Sequence, residues 1–302
     1  MRVLVTGVAG FVGQHLASHL AANGDEVIGT YLGEQLDDPA IETFEVDILD
    51  REQLASVIEQ TRPDAIVHLA GLSHVGKSWE QVAAYFRVNV VGTENLLACA
   101  GDARVLVASS AEAYGPVPED EQPIPESRSL APPSPYAMSK AAAERLVLRD
   151  GGIVVRPFNC VGPGQAAEFA FPSFALQLAA IANGAQPPVL HVGNLEARRD
   201  FLHVRDAVEG YRLLIGEATP GQAYNLGSGR AFSIRQGLDF LIEESGVQAS
   251  VELDPDRFRP VDVPLLCADT SRLADLGFSP ERDLRMALAD LWASIRARPV
   301  SS

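Results

Sequence analysis

The sequence predicts an α/β protein built on a doubly wound parallel sheet, with a smaller α/β part laid over the carboxyl ends of its strands. Three observations carry that expectation. Short β-branched, apolar runs alternate with segments of helical period through the first half of the chain, the pattern of strands joined by crossover helices. A glycine-rich turn links the first apolar run to the first helical segment. Past residue 158 the alternation loosens into loops punctuated by Pro and Gly, with isolated helical segments between them.

In chain order, residues 3–5 (Val-Leu-Val) make the first strand, and residues 11–22 place Val12, Leu16 and Leu20 at i, i+4 and i+8, one face of a helix. Strands follow at 26–29 and 43–46, a helix at 51–59, a strand at 65–69 and a long helix at 79–99. A strand at 104–108, a helix at 135–149 and a strand at 153–156 complete the series. These strands are apolar on both faces, as a parallel sheet covered on both sides requires. Further helices are expected at 171–183, 204–214, 234–244 and 284–296, with 204–224 returning to the sheet. The expected division is residues 1–157 plus about 203–226 for the sheet domain, and about 158–202 with 227–302 for a smaller, discontinuous one. Open parallel sheets bind ligands in the crevice at the strands' carboxyl ends, so chemistry is expected where the two parts face each other.

With 302 residues, 47% of them hydrophobic, the chain can bury a full core. Its 24 Lys and Arg against 40 Asp and Glu leave a net charge of −16, which argues against nucleic acid or an anionic membrane as partner, since both need a basic face. An anionic ligand would need a local arginine cluster. Three cysteines, Cys99, Cys160 and Cys267, are too widely spaced for a zinc site, so no metal is expected, and a reducing compartment suits them. The opening MRVLVTG lacks the basic and apolar regions of a signal peptide, and no run reaches about 18 uninterrupted apolar residues. A cytoplasmic protein that touches no membrane is expected.

The first strand runs into Thr6-Gly7-Val8-Ala9-Gly10-Phe11-Val12-Gly13, with glycines at i, i+3 and i+6 directly before a helix. Gly7 permits the tight turn, Gly10 lets backbone approach a pyrophosphate, and Gly13 lets helix and strand pack closely, while the helix N-terminus offers amide donors. An ordinary Gly-rich turn would not need this strand-before, helix-after setting, so a dinucleotide site is expected. Asp47, after the third strand, is placed to accept from an adenine amino group. About 20 residues beyond the glycines, an acid would hold a ribose 2′-hydroxyl and an arginine a 2′-phosphate. Thr30 and Tyr31 stand there instead, which leaves NADP(H) and NAD(H) both open.

In Ser134-Pro135-Tyr136-Ala137-Met138-Ser139-Lys140, Ser134 is a helix N-cap and Pro135 a first-turn residue, so Tyr136 and Lys140 share a face one turn apart. An ammonium beside a phenol is expected to lower the Tyr136 pKa toward neutrality, readying it to exchange a proton with a hydroxyl or ketone. Ser109-Ser110-Ala111-Glu112 directly follows the 104–108 strand. A hydroxyl at that edge can bond the same oxygen that Tyr136 protonates.

Together the glycine turn, Ser110 and the Tyr136/Lys140 pair resemble the extended short-chain dehydrogenase/reductase family of nucleotide-sugar epimerases, dehydratases and reductases. Supporting motifs span nearly the whole chain: His68-Leu69-Ala70-Gly71, Asn89-Val90-Val91-Gly92-Thr93-Glu94-Asn95-Leu96, Arg156-Pro157-Phe158-Asn159 and Arg199-Asp200-Phe201. His68 and Asn89 are read as architectural. The segments 156–165, 193–201 and 254–264 resemble the GDP-mannose branch, its GDP-4-keto-6-deoxy-mannose reductases first and its 4,6-dehydratases next. The resemblance implies a Rossmann doubly wound parallel sheet with a smaller, discontinuous α/β substrate-binding domain, a GDP-sugar substrate and a homodimer.

It further implies that Tyr136 delivers a proton, Ser110 polarises a ketone and Lys140 holds the nicotinamide ribose. Gly7, Gly10, Phe11, Val12, Gly13, Thr30, Asp47, Ile48, Leu69, Ala70 and Gly71 would surround the cofactor. Asn159, Asn194, Arg199, Arg259 and Asp262 would hold the nucleotide sugar. Arg199 and Arg259 match the family's diphosphate arginines, and Arg198 and Arg257 are weaker candidates. Glu196 is proposed to accept the two donors on guanine's edge. Glu112 matches the glutamate of the dehydratases, which makes dehydration the chief alternative to reduction. Against it, 31–42 is short and lacks the arginine-rich insertion of the dehydratases. A 4-epimerase uses the same Ser/Tyr/Lys set, and a non-catalytic dinucleotide sensor would typically lose the Tyr or Lys that this chain keeps.

Overall fold

The computed structural model describes residues 1–257 and 263–297. Its strands are β1 (Arg2–Thr6), β2 (Glu26–Tyr31), β3 (Glu42–Glu45), β4 (Ala65–His68), β5 (Arg104–Ala108), β6 (Ile153–Pro157), β7 (Asn159–Val161), β8 (Val189–Val192), β9 (Arg198–His203), β10 (Ala223–Leu226), β11 (Ala231–Ser233), β12 (Ser250–Leu253) and β13 (Leu265–Leu266). The α-helices are α1 (Phe11–Ala22), α2 (Arg51–Thr61), α3 (Val75–Ser78), α4 (Val82–Phe86), α5 (Gly92–Cys99), α6 (Pro135–Arg149), α7 (Ala170–Ala182), α8 (Val204–Glu217), α9 (Ile234–Ser245), α10 (Ser271–Ala274) and α11 (Leu284–Arg296).

Seven parallel strands form one sheet in the order β3-β2-β1-β4-β5-β6-β10. The strand order reverses between β1 and β4, and the ends of these two strands open the crevice in which such sheets bind ligands. Side chains alternate across the sheet as its pleat demands. Val3 and Val5 meet Leu16 and Leu20 of α1 and Tyr211 of α8 on one face. Leu4, Ile28 and Ile66 meet Leu54 of α2, Leu96 of α5 and Val147 of α6 on the other. β10 joins the edge beside β6, so the chain does return to the sheet after 204.

The remaining strands gather around β9, which pairs with β7, β11 and β13, while β8 and β12 pair separately. α7, α9 and α11 close over Phe171, Phe174, Leu178, Leu238, Leu288 and Trp292 in a core of their own. A reciprocal capping box between Ser233 and Gln236 starts α9, and Gly246, at φ +67°, ends it.

The long helix expected at 79–99 is interrupted. α4 begins only at Val82, and a π turn, Arg87–Val91, separates it from α5. Asn89 sits in that turn, 2% exposed. Its amide accepts from the Leu72 backbone N–H (2.8 Å) and donates to the Leu72 carbonyl (3.0 Å) and the Ser139 hydroxyl (2.9 Å). The extra residue of a π turn holds this polar side chain inward while the apolar stripes on either side keep their register. Asn89 is thus a brace between the β4 exit and α6.

Candidate active site

At the β1–α1 turn, Gly7 adopts φ +70°, and a Cβ there would stand 2.9 Å from the Ala70 backbone. A Cβ at Gly13 would lie 2.3 Å from the Gly7 carbonyl oxygen. Both glycines are therefore demanded by backbone contact. The Gly7 and Val8 amides donate to the Thr30 carbonyl at 2.8 and 3.0 Å, tying the turn to β2. Gly10, which has no side chain to offer its own helix, is the N-cap of α1, and first-turn amides of this kind suit an anion. Phe11, Val12, Leu69 and Ala70 are half-buried around this turn and Gly71 is exposed. The donor set and the close backbone packing fit a dinucleotide.

Other predicted cofactor contacts differ in kind. Thr30 is 1% exposed, inside the strand, and the mouth of β2 carries Tyr31 and the exposed Leu32. One Asp47 oxygen accepts the Leu49 amide at 2.9 Å. Ile48 is buried against α5, where a Cβ on Gly92 would meet its Cδ1 at 2.6 Å.

The candidate acid–base residues gather at the carboxyl edge of β5. Ser134 Oγ accepts the Ala137 amide (3.2 Å) and Pro135 occupies the first turn of α6, which sets Tyr136 at the helix entrance. Tyr136 is buried and hydrogen-bonded to Ser110, and Tyr85 stands edge-on to its ring at 6.3 Å. Burial pushes the phenol up to about 12; the Ser110 hydrogen bond opposes this, and the charge of Glu112 and the neighbouring Tyr85 add to it. Lys140 Nζ donates to the Ala108 carbonyl at 2.9 Å, and burial lowers its pKa to about 8.

The expected depression of the Tyr136 pKa by Lys140 is not found. Lys140 directs its ammonium to Ala108 and is absent from the influences on the phenol, while burial penalises the charged forms of both residues. Tyr136 is consequently a neutral phenol at pH 7, the form that donates a proton. Glu112 is half-buried on the 3₁₀ turn Ala111–Tyr114, whose N-cap is Ser110.

Asn159 follows β6 almost directly, and from it a cavity of about 290 Å³ extends between β9 and α7. Asn194, Arg199 and Arg257 supply polar walls, and Phe171 and Phe201 apolar ones. Arg199 and Phe201 alternate with Asp200 along β9, so the first two face the cavity and the carboxylate turns away. Asp200 is fully buried and accepts from the Ser228 amide (2.7 Å) and hydroxyl (2.6 Å) and from the Gly229 and Ala268 amides (2.9 and 3.2 Å). That nest fixes the strand behind Arg199.

Arg257 donates to Asp254 and to the Ser173 hydroxyl, each at 3.2 Å, and takes a cavity place that the sequence had ranked below Arg259. Arg198 is exposed beside Glu119 at 3.6 Å. Glu196 is exposed and outside the cavity wall. Burial raises the Cys160 thiol to about 12, consistent with packing rather than nucleophilic chemistry. Arg259 and Asp262 lie outside the described residues. Among those described, no group of three or more His, Cys, Asp or Glu side chains is placed to hold a metal.

A family model described as GDP-mannose 4,6 dehydratase matches residues 4–291. The chain belongs to that family. Within the GDP-mannose 4,6 dehydratase family, the chain is 34% identical to a GDP-6-deoxy-D-mannose reductase of Pseudomonas aeruginosa over 98% of both chains. It is 31% identical to a GDP-6-deoxy-D-talose 4-dehydrogenase of Aggregatibacter actinomycetemcomitans over 91% of both. The solved structure of RMD from Pseudomonas aeruginosa complexed with NADPH superposes with a TM-score of 0.87 at 32% identity, covering 98% of this chain and 100% of that one. The Rossmann-type sheet and the short-chain dehydrogenase/reductase resemblance are both upheld.

Proposed function

We propose that the protein reduces the 4-keto group of a GDP-4-keto-6-deoxy-hexose, giving a GDP-6-deoxy-hexose such as GDP-rhamnose, with NADP(H) or NAD(H) as cofactor. The observation that carries this is the placement of buried Tyr136 beside Ser110 at the carboxyl end of β5, with the arginine-walled cavity beginning at Asn159 after the neighbouring strand β6. Likeness to the GDP-6-deoxy-D-mannose reductase supports the substrate class. The NADPH held by the RMD structure supports the cofactor class.

A nicotinamide held here would supply the hydride that reduces carbon 4. Ser110 donates a hydrogen bond to the ketone oxygen and polarises it, and Tyr136 protonates that oxygen as negative charge develops. Lys140 would hold the cofactor's ribose hydroxyls, and the first-turn amides after Gly10 would hold its pyrophosphate. Arg199, with Arg257 and Arg259, takes the sugar-linked diphosphate, while Asn159, Asn194 and Asp262 bond sugar and ribose hydroxyls. In this arrangement 1–157 with about 203–226 bind the dinucleotide, and about 158–202 with 227–302 bind the nucleotide sugar. Glu196, exposed between the cavity-lining Asn194 and Ala197, is the proposed acceptor for guanine's two donors.

We place the protein in the cytoplasm; no helix among the described residues is long and apolar enough to cross a membrane. We also infer a homodimer, supported by the exposed Val82, Phe86 and Met138 on α4 and α6.

Dehydration of GDP-mannose is the second reading, favoured by Glu112, a carboxylate near enough to Tyr136 to oppose its ionisation. The two separate in one assay that follows NADPH and NADH absorbance with GDP-4-keto-6-deoxy-mannose, beside GDP-mannose without added reductant. Consumption of reduced cofactor by the keto sugar alone is expected. Elimination of water from GDP-mannose, with no consumption, would make Glu112 a base and the protein a dehydratase.

A further inference from the structure

Tyr136 and Lys140 are followed on the same face of α6 by Glu144, again one turn on. Glu144 is 2% exposed and forms an ion pair with Arg156 of β6, itself 5% exposed. Arg156 Nε donates to Glu144 Oε2 at 3.1 Å, and a second guanidinium nitrogen bonds Oε1. Beyond the pair, Glu144 takes Ser109, and Arg156 takes Tyr114 and the Glu126 backbone carbonyl (3.0 Å). Glu144 Oε2 accepts from the Ser109 hydroxyl at 3.0 Å. Arg156 donates to the Tyr114 hydroxyl at 2.8 Å and stacks over its ring at 4.9 Å. Tyr114 in turn donates to Asn225 Oδ1 of β10 at 2.7 Å.

Ser109 and Tyr114 are the two ends of the turn that carries Ser110 and Glu112. A buried pair costs desolvation, and apolar residues of like volume would stabilise the fold as well. What an apolar pair could not do is grip both ends of one turn, the Ser109 end from Glu144 on the helix that bears Tyr136 and the Tyr114 end from Arg156 on β6. We propose that the Glu144–Arg156 pair is a positioning element of the active site, a clamp that fixes the 109–114 turn to α6 so that Ser110 stays in register with Tyr136. The inference rests on Ser110 and Tyr136 being the reacting pair.

Removing Glu144 or Arg156 would strand a buried charge and endanger folding. The informative variants are Ser109→Ala and Tyr114→Phe, each of which keeps the pair intact and loosens one end of the turn. Two readouts apply. Hydrogen exchange of the Glu112, Ala113 and Gly115 amides, all bonded within the turn, is measured first and needs no substrate. Steady-state kinetics with the keto sugar is measured second.

The clamp predicts exchange faster by about tenfold at those three amides in either variant, with amides of β1 unchanged. It also predicts kcat lowered by about tenfold with both KM values within about twofold, as expected for a misplaced reacting group. Unchanged exchange at the turn overturns the clamp, and so does faster exchange with unaltered kcat. A wild-type protein that leaves every keto sugar untouched would instead overturn the proposed reaction, while the exchange data still decide whether the pair holds the turn.

Discussion

Lys140 shows what the site demands of one side chain. Burial brings its pKa from 10.5 to about 8, so the folded protein binds this proton less tightly than the unfolded chain does. Between those values stability rises with pH, and below about 8 the buried ammonium is a standing cost. Lys140→Met is therefore expected to raise Tm by a few degrees at pH 7 while abolishing turnover, a result that thermal melts and cofactor-absorbance assays would check together. The same shift predicts that the KM for reduced cofactor climbs above about pH 8, as the lysine loses the charge with which it grips the ribose. A KM flat to pH 10 would count against that role. Lys140 also marks the limit of sequence reading for single residues. The Tyr136/Lys140 spacing places both side chains at the site, but the carbonyl of Ala108 comes from a strand 32 residues earlier, and nothing in the local pattern says that the ammonium will turn toward it.

The elements that build the cofactor turn owe their closeness to glycine. Gly13→Ala would drive a methyl against the Gly7 carbonyl oxygen, a contact between two backbones that can yield only by moving α1 off β1. A loss of about 1–3 kcal/mol is expected from such overpacking, with weaker dinucleotide binding, read by denaturant unfolding and by NADPH fluorescence titration. Asn89→Ala removes three hydrogen bonds between the π turn, the β4 exit and α6. A lowered Tm with a regular helix through 87–91 would be the expected outcome in a structure of that variant. These glycine and strand–helix signals are readable in the sequence because they are local. The π turn is not, since helical periodicity runs through 82–99 and only the distant Leu72 and Ser139 explain why it breaks. Glu144 likewise continues the four-residue spacing of Tyr136 and Lys140, but its partners, Ser109 and Arg156, come from other parts of the chain.

For the chain as a unit, the parallel sheet follows from alternating patterns, and the pairing of β1 with β4 puts the glycine turn against Ala70, one strand away from the β5 edge that carries Ser110. The second, smaller core is harder to read, because β7, β11 and β13 are short and, among the described residues, pair with β9 alone. Thus the motif around Arg199 points to the cavity, whereas Arg257 reaches it by tertiary placement. If the exposed apolar residues of α4 and α6 join two copies, Met138→Glu should yield monomers in sedimentation, because a buried carboxylate at such a face is costly; an unchanged dimer would locate the interface elsewhere. The central claim, that a neutral Tyr136 protonates the ketone oxygen, is tested most directly by Tyr136→Phe, with turnover of GDP-4-keto-6-deoxy-mannose and calorimetric GDP binding measured on one preparation. A fall in kcat of about 10²–10⁴-fold with GDP binding intact is the expected result. Turnover near the wild-type rate, or loss of GDP binding along with activity, would contradict it.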